Sequence, residues 1–263
     1  MRRLSLILIA AIAVMAIVGC GGDAAVATAY APNQSVEAYS YVHGGYVGRA
    51  TATTDGEGNV EYILDEAFLP HTLASADLES DEWNEDNTAF YQVRGEVNHV
   101  ARWVSYNDTM YVGDTVGTTL VYVPANDQGE PATDVNKDHL ELSILDSESS
   151  MAAYWESIQD GGFAVYTEWG GDPQTITTTS YGSLTKRGSE YWNFGLGWQG
   201  NMDAIQEAAV ENGVSFSLDE MESTDDGWQL ADATTSATAS DFPDYFMLIQ
   251  LAEARLDVQA AEE

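Results

Sequence analysis

One cysteine and two lysines stand out as shortages in a chain of 263 residues. The single cysteine, Cys20, excludes a disulfide framework and the Cys-x-x-Cys-His haem attachment pattern. Positive charge is scarce as well: 9 lysines and arginines face 43 aspartates and glutamates, giving a formal net charge of −34. A chain so negative is repelled by phosphate backbones and by anionic lipid headgroups, so nucleic acid is excluded as a partner. The histidines His43, His71, His99 and His139 are widely separated, without the close spacing that marks a metal site. Gly-x-Ser-x-Gly, Walker and paired-glycine dinucleotide motifs are all missing, and no base for serine hydrolysis can be nominated. The longest apolar run, Leu4 to Val18, is shorter than the ~20 residues that a membrane-spanning helix requires.

That run has a different explanation. Arg2 and Arg3 form a positive leader, the apolar stretch follows, and Ile17-Val18-Gly19-Cys20 closes it. A small residue just before a lone cysteine resembles the bacterial lipobox. The resemblance implies that residues 1–19 are removed and that Cys20 becomes an acylated N-terminus, a membrane anchor made of buried methylenes. A cleaved secretory signal that happens to contain a cysteine is the alternative. On the lipoprotein reading no thiol remains for catalysis. Removal of the leader takes away two arginines and no acid, so the net charge deepens from −34 to −36. Localisation follows as extracytoplasmic, lipid-anchored to the cell membrane, or to an outer membrane where the organism has one.

What is abundant points to a folded domain. Hydrophobic content is 44% and there are seven tryptophans, which argues against disorder despite the charge. Abundant acid with scarce lysine fits either a high-salt habitat, where screening removes self-repulsion, or a merely acidic surface. Residues 20–38 read as a flexible tether, and 39–263 as one domain. Tyr46–Thr53 and Val60–Asp65 flank Asp55-Gly56-Glu57-Gly58-Asn59, which predicts a hairpin. That acidic turn lacks the distal bidentate glutamate of a calcium loop. Strands are expected at Gly95–Val104, Thr109–Val112, Thr118–Val123 and Phe163–Thr167, and a polar loop over Pro124–Lys137. Helices are expected at Met151–Gln159, from an Asn201 cap to Glu211 with Gly213 as the stop, and from about Ser240 or Asp241 onward with Pro243 in the first turn. In the last helix Phe242, Tyr245, Phe246, Ile249, Ala252 and Leu256 share one face. Separated hairpins and helices indicate an α+β fold, an antiparallel sheet with packed helices.

Two segments carry chemistry. Asp232-Ala233-Thr234-Thr235-Ser236-Ala237-Thr238 stands just before the last helix, and Gly44-Gly45-Tyr46-Val47-Gly48 opens the first hairpin. The first is similar to Asp-x-x-Ser/Thr-Gly-Ala-Ser/Thr, the flavin attachment motif of the FMN-binding domain family. The second resembles the Gly-x-Tyr-x-Gly opening of that family. The resemblance covers the two ends of the mature domain; about 90–226 has no counterpart in a minimal member and reads as an insertion or elaboration. It implies covalent FMN, joined through a phosphoester at Thr238 by a magnesium-dependent flavin transferase. It also implies a role in extracytoplasmic electron transfer with an unidentified redox partner, as an electron carrier rather than a turnover enzyme. Asp232, Thr235, Ser236 and Ala237 would shape the attachment loop, and Gly44, Tyr46 and Gly48 the adjoining strand. A helix N-terminus suits a phosphate because its first amides are unpaired and its dipole end is positive. Ser236 departs from the pattern, standing where the family has glycine. If that position needs φ > 0, serine costs ~1–2 kcal/mol there. A surface lipoprotein that binds or scaffolds without redox activity, having lost the flavin, is therefore the competing class.

One further stretch, Gly182 to Asn193, holds Lys186 and Arg187 beside Tyr191 and Trp192. These could hold an anion and stack on a flat ring, but a loop whose aromatics anchor it to the core is the commoner arrangement.

Overall fold

The computed structural model describes residues 30–42, 45–93, 95–116, 118–134, 138–193, 195–224, 227–230, 233–235, 237 and 241–258. Cys20, Gly44, Asp232, Ser236 and Thr238 lie outside the described residues. The chain is a mixed α/β fold whose sheets are antiparallel throughout.

Strands β1 (Ser35–Val42), β2 (Tyr46–Thr54) and β3 (Val60–Ala67) form the first sheet, in that order. Alternation decides its faces: Ala50 and Ala52 of β2 and Tyr62 and Leu64 of β3 point to one side and are buried. The β2–β3 turn is held by the Asp55 carboxylate, which accepts the Glu57 and Asn59 amides at 2.8 and 2.9 Å and the Asn59 side-chain amide at 2.8 Å. Its oxygens are thus spent on the turn itself.

After β3 the chain makes a single helical turn, α1 (Pro70–Leu73), and a hairpin, β4 (Thr88–Val93) with β5 (Glu96–Ala101). Next come β6 (Trp103–Tyr106), β7 (Thr109–Val116), β8 (Thr119–Pro124), α2 (Leu140–Leu145), α3 (Glu148–Gln159), β9 (Phe163–Tyr166) and β10 (Gln174–Thr175). The strands of this stretch build a five-stranded sheet in the order β10-β9-β6-β7-β8. Then α4 (Gly197–Asn212), the short strands β11 (Met221–Thr224), β12 (Gly227–Leu230) and β13 (Ala233–Thr234), and α5 (Phe242–Glu253) complete the chain.

Two cores result. In one, α4 and α5 cover the first sheet, with Trp198, Met202, Ile205 and Ala209 of α4 at helical spacing and Phe242, Phe246 and Ile249 of α5. In the other, Tyr154, Trp155 and Ile158 of α3 and Leu140 and Ile144 of α2 meet Val104, Tyr122 and Val165 of the large sheet. Arg255 joins the two regions: its guanidinium donates to both Glu148 oxygens at 2.6 and 2.7 Å, and Glu148 also accepts the Tyr39 amide at 2.9 Å.

Several boundaries differ from the sequence expectation. The strand expected over Gly95–Val104 divides at Arg102, where the chain passes between two sheets: its amide makes the last bond of the β4–β5 hairpin, to the Asn87 carbonyl at 2.9 Å, while its carbonyl accepts the Gly113 amide of β7 at 2.6 Å. Helix α3 starts earlier, because the Ser147 hydroxyl caps it by accepting the Ser150 amide at 3.1 Å. Asn201 is no cap. It is buried inside α4, and its side-chain amide donates back to the Gly197 carbonyl at 2.7 Å. Gly213 does end α4, at φ 72°. Every residue expected on the inner face of α5 is buried, Leu256 just beyond it included. Among the described residues no helix is long and apolar enough to cross a membrane.

Candidate functional site

The two chemistry-bearing segments are far apart in sequence, and the described parts of both are held against α5: Gly48 at Leu248 in its second half, and Thr235 and Ala237 through Trp228, whose ring meets Phe242 at its start. The reason at β2 is Gly48. A Cβ there would lie 2.7 Å from Val42 Cγ1 and 3.0 Å from Leu248 Cδ2, so α5 can cross β2 this closely only over glycine. One strand step away, Tyr46 packs edge-on against Phe68 and Tyr191 at 6.1 and 5.8 Å, and its hydroxyl meets that of Tyr191 at 2.9 Å.

On the other side, Thr235 and Ala237 are both buried. The Thr235 amide donates to the Trp228 carbonyl at 2.7 Å, and the Trp228 amide donates to the Ala237 carbonyl at 3.2 Å. The Thr235 hydroxyl accepts the Ala237 amide at 3.3 Å. The Trp228 ring stacks on Phe242 at 5.4 Å, and Phe242 stacks on Phe246 at 5.9 Å. This aromatic column fastens the segment to the start of α5.

Beside the same helix end lies a buried charged cluster that sequence reading saw only in part. Lys186 is 4% exposed and Glu66 fully buried, and the ammonium is ion-paired to the carboxylate. The ammonium also sits 3.3 Å from the Tyr46 ring centroid and 4.4 Å from that of Tyr191. The Tyr245 hydroxyl, from α5, donates to Glu66 Oε1 at 2.5 Å. Burial pushes the Glu66 carboxyl up and pulls the Lys186 ammonium down, each partly offset by the other. Burial and then Glu66 raise the Tyr245 phenol well above the ordinary tyrosine range, so it remains a donor. Asp241, at the N-cap of α5, and Asp65 add to the negative field on Lys186.

Segment 184–187 runs alongside β3, with the Lys186 amide donating to the Glu66 carbonyl at 2.8 Å. Arg187 donates to the Leu64 carbonyl, Asp203 and Gln206 at 2.8, 3.0 and 2.9 Å. Both cations are therefore engaged internally and Tyr191 is packed, which matches the core-anchored reading of Gly182 to Asn193. Glu66 and Tyr245 were missed. Their signal was present: Glu66 follows Tyr62 and Leu64 on the inward parity of a strand, and a buried carboxylate demands a cation.

Three features near the start of α5 bear on a phosphate-bearing flavin. Pro243 carries no N–H, and the Asp244 and Tyr245 amides donate to the Asp241 carbonyl at 3.1 and 3.4 Å. The buried Lys186 ammonium is ion-paired to Glu66, and aromatic rings are grouped there. Two cavities lie elsewhere. An open groove of about 320 Å³, lined by Tyr30, Val214, Glu253 and Leu256, is at the far end of α5. A cleft of about 240 Å³ lies between Phe90, Arg102 and Glu130. Neither is lined by Tyr46, Thr235 or Ala237. Among the described residues no group of three or more His, Cys, Asp or Glu is placed to hold a metal ion.

Comparison of the chain with protein-family models, with curated proteins and with solved structures returned no match.

Proposed function

We propose that this chain is a lipoprotein, anchored outside the cytoplasm through Cys20, that carries FMN by a phosphoester at Thr238 and passes electrons at the cell surface. On this reading β1–β3 with α5 form the FMN-binding-like part of the fold, and α4, within the 90–226 elaboration, packs on the same sheet beside α5. The supporting observation is that both resemblance segments are held against one helix: Gly48 lets β2 press on α5 at Leu248, while Thr235 and Ala237 are bonded to Trp228, whose ring stacks on Phe242. Thr238 follows Ala237 directly in the sequence.

The flavin would supply reversible one- or two-electron transfer, and the protein would hold and tune it. At the start of α5 the Phe242 amide and the positive dipole end would receive phosphate charge; Pro243 carries no N–H, and the Asp244 and Tyr245 amides already donate to the Asp241 carbonyl at 3.1 and 3.4 Å. The Trp228–Phe242 stack holds β12, to which Thr235 and Ala237 are bonded, against the helix.

The competing reading, a surface lipoprotein that binds or scaffolds without redox activity, draws on the position of the two cavities, both remote from Thr235 and Ala237. The two separate by co-expression of the full chain with a flavin transferase, followed by in-gel flavin fluorescence. The flavin reading expects a fluorescent band that disappears in Thr238→Ala and persists in Thr133→Ala, a change at an exposed threonine. A dark wild-type band, with the transferase active on a control substrate, would overturn it.

A further inference from the structure

Two asparagines, Asn33 and Asn107, have φ of +59° and +48°, and among the described residues no other asparagine lies in the left-handed region. Their turns explain this. Asn107 and Asp108, at φ +48° and +62°, are the two residues between β6 and β7, flanked by the Tyr106–Thr109 pair. Positive φ at both positions makes a primed hairpin turn, which selects Asn and Asp. Asn33 turns the chain into β1, and its amide donates to the Asp55 carbonyl at 3.1 Å.

Turn geometry does not explain the residues two positions on. Ser35 follows Asn33 through Gln34, and Thr109 follows Asn107 through Asp108. Each set is Asn-x-Ser/Thr, the acceptor pattern for an N-linked glycan, and no other asparagine of the chain begins it. Asn33, Ser35, Asn107 and Thr109 are all exposed, and among the described residues neither hydroxyl makes a hydrogen bond. The buried asparagines differ on each count. Asn87 donates its side-chain amide to the Glu82 and Thr167 carbonyls, Asn201 to that of Gly197, and neither begins the pattern. At Asn107 the Ser157 hydroxyl donates to Oδ1 at 2.5 Å. Glycan transfer uses Nδ2 and leaves Oδ1 an acceptor, so that bond is compatible with the modified residue.

We propose that the exported chain is N-glycosylated at Asn33 and Asn107. The donor is an oligosaccharide carried on a lipid phosphate. The asparagine Nδ2 forms a bond to the anomeric carbon, and the bond from that carbon to the phosphate oxygen breaks. The lipid phosphate leaves with the electron pair, and one amide proton passes to a base of the transferase. The free hydroxyl of Ser35 or Thr109 is the group the transferase reads beside the amide. The proposal rests on the export half of the reading above, which a cleaved secretory signal serves equally, and it is independent of the flavin.

The test produces the full chain with its leader in cells whose membrane carries an oligosaccharyltransferase. Asn33 lies between Asp23 and Glu37, and Asn107 between Glu96 and Asp114, so cleavage after acidic residues reads the two sites separately by mass. We expect a glycan increment on both peptides, and enzymatic release of the glycan should leave aspartate at each position. Thr109→Ala should lose the glycan at Asn107 and keep it at Asn33, with unchanged circular dichroism, and Thr109→Ser should keep both. Ser35→Ala should do the reverse of Thr109→Ala. A bare wild-type peptide, beside a control protein that the same cells modify, would overturn the assignment of the asparagine it contains. That result needs no variant to fold. A glycan that persists at Asn107 in Thr109→Ala would also overturn it. The mature N-terminus of the same preparation separates the causes: a processed chain with bare peptides sinks the glycan alone, whereas a chain that keeps its leader inside the cell sinks export and the glycan together.

Discussion

Replacing Lys186 by Met should be among the most damaging single changes in the first core. The substitution keeps the length of the side chain but removes the ammonium from a site that is 4% exposed. Glu66, fully buried, then loses its counter-charge and keeps only the Tyr245 phenol as a charge-stabilising donor. Breaking a buried pair by removing one partner costs about 3–5 kcal/mol, because an uncompensated charge is left behind. The attraction to the Tyr46 and Tyr191 rings, about 2 kcal/mol for a desolvated cation, is also lost, and a Met sulfur restores about 0.3–1.5 kcal/mol of it. A loss near 4 kcal/mol is a large share of the 5–15 kcal/mol that typical domains possess. Urea titration at high salt, followed by tryptophan fluorescence, reads the loss directly.

The second variant isolates the charge. Glu66→Gln added to Lys186→Met removes the orphaned anion yet leaves an acceptor for Tyr245, so most of the deficit should return. The deficit of the single variant should also narrow on acidification. Glu66 lies high in the fold through burial, so protonation neutralises it before ordinary carboxylates are affected. A Lys186→Met loss below about 1 kcal/mol, or no recovery in the double variant, would refute the reasoning that charge burial dominates here.

Three other outcomes follow from the same structure. Gly48→Ala should lose about 1–3 kcal/mol by overpacking against Val42 and Leu248, whereas Gly56→Ala, with nothing within 4 Å of its Cβ, should unfold at the wild-type urea midpoint. His71 is held below its ordinary value of 6.5 by burial, against the opposing pull of Glu141. The neutral ring suits the fold, so its contribution is full above about pH 6.5 and is lost as pH falls through the lowered folded value. The melting temperature of His71→Gln should accordingly drop less than that of wild type between pH 7.5 and 5, and parallel curves would contradict this. Finally, each lysine and arginine among the described residues is paired with a carboxylate, so the excess acid has only solvent cations for neutralisation. Raising KCl from about 0.1 to 2 M should raise the urea midpoint through screening, and a flat response would argue against a salt-adapted surface.

Local chemistry was the legible part of this fold. The β2–β3 hairpin could be read because Asp55 and two glycines punctuate two alternating runs, and α5 because six apolar residues recur at its period. Gly48 was recognised from its motif, but its physical reason, the crossing of α5, depends on packing that no local pattern reveals. Asn201 misled because a residue suited to capping can also sit inside a helix when its side chain bonds back to a carbonyl. Helix α2 was missed since its cap is His139, an uncommon choice, whose ring accepts the Leu142 amide. The ion pair at the site needed a long-range register: Lys186 and Glu66 are separated by 120 positions and meet only because segment 184–187 lies along β3. The close approach of the Thr235 carbonyl to Gly227 was hidden for the same reason, since a glycine's role on one strand depends on what faces it.

The account turns on whether a flavin is covalently held just before α5. The most direct measurement is the mass of the peptide spanning Thr238, from chain produced with its leader and a flavin transferase. Cleavage should be after acidic residues, because no Lys or Arg lies between Arg187 and Arg255. The account predicts an increment of one FMN less one water, with fragment ions assigning it to Thr238. An unmodified peptide from a preparation in which the transferase modified a control, or the increment on another residue, would contradict it.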